Sequence, residues 1–79
     1  MNQDEVAQRI VSRSDILLGK PVVRGTRIPV YLIADLDAAG MTAEEIVDDY
    51  PDLTIPDVEA AIAYAALHDA PASTIAQLV

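Results

Sequence analysis

Residues 19–30 read G-K-P-V-V-R-G-T-R-I-P-V, and the parsing of this run decides the fold. Two glycines, two prolines and three of the five basic residues of the chain fall within it. Gly19 and Gly25 accept positive φ at no steric cost, which makes each a turn point. Val22 and Val23 are β-branched and favour an extended segment, and Pro21 is tolerated only at an edge or at a strand start. Pro29 suits the opening of a helix. The run therefore predicts a short edge strand, a turn at Arg24-Gly25-Thr26, a second extended piece and then a helix. Lys20, Arg24 and Arg27 crowd onto one ribbon and are the candidate partner- or DNA-binding residues, with Gly19 and Gly25 shaping the turns.

Working outward towards the N-terminus, residues 9–12 (R-I-V-S) read as a strand that pairs with Val22 and Val23. Ser14 and Asp15 mark a turn, and the apolar residues 16–18 form a plug leading into Gly19. Residues 1–8 read as frayed chain or a short helical turn. A second reading of the ribbon is purely structural: a basic-edged hairpin caps the open end of a helical core, its charges discouraging edge-to-edge pairing.

Towards the C-terminus three helices are expected. The first covers 29–39, with Val30, Ile33 and Leu36 on one side and Leu32 and Ala39 widening the stripe, and Gly40 ends it. The second starts at Thr42, where Glu45 completes a capping box, and stops at Pro51. Its apolar face is Ala43, Ile46, Val47 and Tyr50. Glu44, Glu45, Asp48 and Asp49 share the other face, which reads as solvated surface because no glycine-containing calcium loop accompanies it. The third helix opens at Thr54, carries Pro56 and Asp57 in its first turn and runs to about His68. Its core face is read as Ile55, Val58, Ile62 and Ala65. Ala60, Tyr64 and Leu67 fall on a second stripe, read as an association surface for a homodimer or partner unless residues 73–79 fold back over it. Residues 70–72 form the hinge to that tail. His68, the only histidine, reads as a helix cap.

A phosphate loop is excluded. That motif needs Lys directly after its second Gly and then Ser or Thr, whereas here Lys20 follows the first Gly and Gly25 is followed by Thr26 and Arg27.

Read in order, Gly19-Lys20-Pro21, the run from Arg24 to Val30, Ala39-Gly40-Met41-Thr42, Glu44-Glu45-Ile46 and Tyr50-Pro51-Asp52-Leu53-Thr54 carry a family likeness. The chain resembles, over about residues 9–68, the small prokaryotic family known as domain of unknown function four hundred and thirty-three. The resemblance implies a compact helix-turn-helix-like domain, similar to antitoxins of the VapB type. It also implies a PIN-like nuclease toxin as partner.

Bulk properties narrow the choice. Seventy-nine residues suit one domain, read as a basic β-ribbon at 9–28, a trihelical body at 29–69 and a tail at 70–79. The fold class expected is mainly α, a three-helix helix-turn-helix domain (homeodomain-like or winged-helix-like) with a short N-terminal β-hairpin. The chain is 52 % apolar with three aromatic residues, all Tyr, so aliphatic side chains must build the core. There is no Cys, which removes disulfides and cysteine-based zinc sites. The acidic, polar start and the lack of a long apolar run predict a cytoplasmic protein without a signal peptide.

Charge is unevenly divided. Through Arg27 there are five basic and three acidic residues, a net +2; from Ile28 onward ten acidic residues face no Lys or Arg, a net −10. A body this acidic binds polyanions poorly, so any nucleic-acid contact belongs to the N-terminal third. The third helix also lacks the Arg, Lys, Asn or Gln that usually read a major groove.

The function expected is that of an antitoxin-like protein that neutralises a PIN-like nuclease and also autoregulates its operon. Arg24 and Arg27 are its carboxylate-binding residues. The alternative is a DNA-binding transcriptional regulator that uses the basic hairpin on operator DNA. No catalytic residues, metal or cofactor are expected, since no nucleophile–base set and no phosphate cradle can be assembled.

Overall fold

The computed structural model describes residues 1–12, 14–15 and 19–68. The expected plug at 16–18, the hinge at 70–72 and the fold-back of 73–79 lie outside the described residues. The elements run α1 (Gln3–Arg9), β1 (Ile10–Ser12), β2 (Pro21–Val23), α2 (Val30–Ala38), α3 (Ala43–Asp49) and α4 (Ile55–Leu67). The fold is mainly helical with a small two-stranded antiparallel sheet. Among the described residues no helix is long and apolar enough to cross a membrane.

Among the described residues the expected three helices become four. Of the two readings of residues 1–8 the helical one is found, and it is longer than a single turn: Asn2 caps α1 by accepting the Glu5 N–H at 2.9 Å, Asp4 and Glu5 complement the positive end of the helix dipole, and Arg9 sits at its negative end. Val6 then buries into the core, which gives this short helix the tertiary anchor its length requires.

The strands pair as expected, with Ile10 opposite Val23, Val11 opposite Val22 and Ser12 opposite Pro21. Val22 also bridges to Pro29 on its other side, where the Val23 N–H donates to the Ile28 carbonyl at 3.0 Å. The second extended piece therefore curls back along β2 before α2 begins. Val22 and Val23 are both buried, so both faces of β2 are covered, and Val23 joins the main core.

The capping chemistry read from the sequence is present. Thr42 accepts the Glu45 N–H at 3.1 Å while Glu45 accepts the Thr42 N–H at 2.8 Å. Thr54 and Asp57 repeat the reciprocal arrangement at the start of α4. Gly40 ends α2 with φ +98°, and Ala39, expected to widen the stripe, is exposed at the helix end.

The core gathers Ile33, Ile46, Leu53 and Val58 with the ribbon residues and α1. Helix α4 is its axle, packed against α1, α2 and α3. That arrangement corrects the reading of its faces. Ala60 and Ala61 are fully buried beside Val58, whereas Ile55, Ile62 and Ala65 are only partly buried. A helix covered on several sides buries a wider arc than one flank supplies, and alanine lets its neighbours approach closely. Ala60 is thus a core residue and leaves the association stripe.

Candidate functional site

The ribbon turn is built by three local devices. Gly25 takes φ +81° and Gly19 φ +86°, the left-handed values that other side chains resist. The Thr26 N–H closes a tight turn onto the Val23 carbonyl at 3.0 Å. The Thr26 hydroxyl donates to that same carbonyl at 2.9 Å and accepts the Ile28 N–H at 3.0 Å. These bonds pair the Val23 carbonyl and the Thr26 and Ile28 N–H groups and set the shape of the loop. At the far end of β1 the Ser12 hydroxyl donates to the Gly19 carbonyl and ties together the two ends of the connection between the strands.

On this frame the three predicted cations stand exposed. Arg24 and Arg27 flank Gly25 and Thr26, and with Ile28, Val11 and Asp52 they border an open concavity of about 800 Å³. Neither side chain makes an ion pair or hydrogen bond among the described residues. Arg27 makes no ion pair with Asp35 or Asp49, and the exposed charges remain compatible with the edge-guarding role that a purely structural reading gives the hairpin. Lys20 is placed apart from the two arginines, with its Nζ 5.9 Å from the centroid of the exposed Tyr31 ring, the outer limit of a cation–π contact.

The remaining predicted residues separate. Ala60 is buried, Tyr64 is half-buried and stacks at 4.2 Å centroid distance on His68, and Leu67 is 53 % exposed. His68 caps α4, its N–H donating to the Tyr64 carbonyl at 3.0 Å. The acidic face of α3 is solvent-exposed, and no group of acidic or histidine side chains among the described residues is arranged to hold a metal ion.

One contact escaped the sequence. Arg9 Nη1 donates to Asp57 Oδ1 at 3.0 Å, joining the ribbon base to the first turn of α4. The residues are 48 positions apart, so no local spacing signals the pair. The role of Thr26 was legible in principle, because Thr after Gly in a turn is suited to such backbone bonding.

Comparison with known proteins adds lineage. The family model "Protein of unknown function (DUF433)" matches residues 10–65. A relative from Sinorhizobium fredii (strain NBRC 101917 / NGR234), "Uncharacterized protein y4eO", is 47 % identical over 60 residues, which is 75 % of this chain and 27 % of that protein. The chain thus matches about a quarter of the length of that relative. The crystal structure of a DUF433 member protein from Anabaena variabilis ATCC 29413 superposes with a TM-score of 0.70 over 98 % of this chain and 84 % of that one, at 24 % identity, a likeness of fold. With the family model spanning well over half of its length, the chain belongs to the DUF433 family.

Proposed function

We propose that the chain is an antitoxin-like binding protein whose basic ribbon neutralises a PIN-like nuclease. One observation carries the reading: Arg24 and Arg27 are held on a turn shaped by Gly25 and Thr26, exposed and without an acidic partner among the described residues. Such nucleases gather carboxylates to bind divalent metal, and a paired guanidinium is the chemical complement of that cluster. On this reading α2 to α4 form a helix-turn-helix-like body that presents the ribbon. Tyr64 and Leu67 would support self-association, and operon control would be a second duty of the same hairpin.

Charge favours the protein partner over DNA. Asp52 borders the same concavity as the two arginines, and Glu59 is exposed on α4. Both repel a phosphate backbone, whose neutralisation dominates nucleic-acid affinity. The test is co-expression with the product of the neighbouring gene and with a PIN-type nuclease, followed by co-purification and growth rescue. Arg24→Ala/Arg27→Ala should abolish rescue while melting stays unchanged. If the double variant loses operator binding alone and still rescues growth, the DNA reading replaces this one.

A further inference from the structure

The pairing that sets Ile10 against Val23 places Arg9 against Arg24 one step further out, where the Arg24 N–H donates to the Arg9 carbonyl at 2.8 Å. Their side chains line one cleft, and like charges brought together there repel. Among the described residues that line this region one carboxylate offsets them: Asp57 Oδ1 takes Arg9 Nη1 at 3.0 Å, and its Oδ2 is held by the Thr54 N–H at 3.0 Å. The Arg24 side chain has no such partner among the described residues. Gln8, Arg9, Arg24 and Asp57 together line a cleft, which therefore carries a net single positive charge. The Arg9 side chain is 40 % exposed, and a guanidinium offers five N–H donors, of which the bond to Asp57 engages one.

We propose that this cleft seats one carboxylate side chain of a partner protein, a site that builds on the carboxylate-binding ribbon above but is testable without any nuclease. The incoming carboxylate bridges Arg24 and the outer edge of Arg9, and the Gln8 amide supplies a further donor. Two guanidinium groups and two carboxylates then form a neutral quartet. Asp57 acts as a positioning residue: it fixes Arg9 through a carboxylate that is itself fixed by the helix cap. A nucleic-acid strand suits the cleft less well, because its neighbouring phosphates would meet Asp57 and the acidic body, whereas a single carboxylate needs only the local positive charge. Arg24 borders both this cleft and the concavity on the Arg27 side, so it is the hinge between two acidic contacts of one partner.

The experiment titrates acetyl-Gly-Glu-Gly-amide into the ¹⁵N-labelled full chain and follows the arginine Nε–H and Gln8 side-chain amide resonances. The peptide with Gln in place of Glu serves as the neutral comparison. Saturating shifts at Arg9, Arg24 and Gln8 with the Glu peptide alone are expected, and Arg24→Gln should weaken them about tenfold or more. Equal shifts with both peptides, or undiminished binding by the Arg24→Gln chain, would overturn the site. A thymidine trinucleotide that saturates the same resonances more tightly at equal ionic strength would overturn the partner class. The two proposals fail separately: nuclease inhibition by a chain whose cleft takes no carboxylate removes the cleft alone, and a saturable cleft in a chain that inhibits no nuclease removes the antitoxin reading alone.

Discussion

Replacing Asp57 by Ala removes three things at once, and the structure gives each a magnitude. The reciprocal cap at the start of α4 loses the acceptor for the Thr54 N–H, a change that costs about 1 kcal/mol in comparable caps. The negative charge in the first helical turn contributes roughly 0.5 kcal/mol against the dipole. The ion pair to Arg9 is partly exposed, at 40 % for the Arg side chain and 16 % for the Asp, and is worth about 0.5 kcal/mol. The sum is about 2 kcal/mol, which for a domain of this size lowers Tm by roughly 8–16 °C. Thermal melting followed by far-UV circular dichroism reads this directly, with the exposed Glu59→Ala as the comparison. Adding Arg9→Ala completes a double-mutant cycle whose coupling should be about 0.5 kcal/mol. If Asp57→Ala melts within 2 °C of Glu59→Ala (roughly 0.5 kcal/mol or less), the α4 cap and the Arg9 contact do not hold the domain together as argued.

Four further outcomes are expected. Ile33→Ala should cost about 2–5 kcal/mol in a denaturant titration, because Ile33 is fully buried, and Ile62→Ala should cost less because Ile62 is only half-buried. Gly25→Val should destabilise by about 1–2 kcal/mol through backbone strain alone, since a Cβ there meets no neighbour, and Gly25→Asn should be milder; equal melting of the two would refute the strain argument. Leu67→Glu should lower Tm by only a few degrees, the roughly 0.5 kcal/mol that a carboxylate in the last turn loses against the helix dipole, and shift any self-association seen by sedimentation, because the side chain lies outside the core. Arg27→Lys should weaken nuclease inhibition, because an ammonium cannot make a planar two-bonded contact, and Arg27→Ala should weaken it by about thirtyfold in a binding titration.

What the sequence disclosed was what neighbouring residues decide among themselves. The glycines at 19, 25 and 40 and the caps at Thr42 and Thr54 act over four residues or fewer and take the conformations their chemistry predicts, whereas Pro29, expected inside the first turn of its helix, stays extended as the residue before α2 and bridges to Val22. The exposure of Lys20, Arg24 and Arg27 followed from the same local turn. Burial that depends on distant partners was not legible. Leu53 sits in a connecting turn yet is 2 % exposed, and Val6 lies in a segment with one apolar anchor, so neither shows a periodic stripe. The cue for α1 was nonetheless present in Asn2 followed by Asp4 and Glu5, with Arg9 a turn and more later. Ala60 was misplaced because a single helical wheel shows which residues share a side, not how many sides the fold covers. In sequence Arg9 looks like the start of a strand; in the fold it ends α1, and only tertiary structure brings its side chain to Asp57.

The paired alanines at the centre of α4 have a consequence for how this sequence can vary. At most core positions a smaller side chain is the damaging change, because it leaves a void. At Ala60 and Ala61 the order reverses, since both are fully buried on a helix contacted by three others. A larger side chain must wedge those helices apart, at a cost of about 1–3 kcal/mol or more. Size, rather than hydrophobicity, is then the quantity under constraint. A saturation library at these two sites should retain Gly, Ser and Ala and lose Val, Leu and Met, the inverse of the ranking that Ile33 or Ile46 would give.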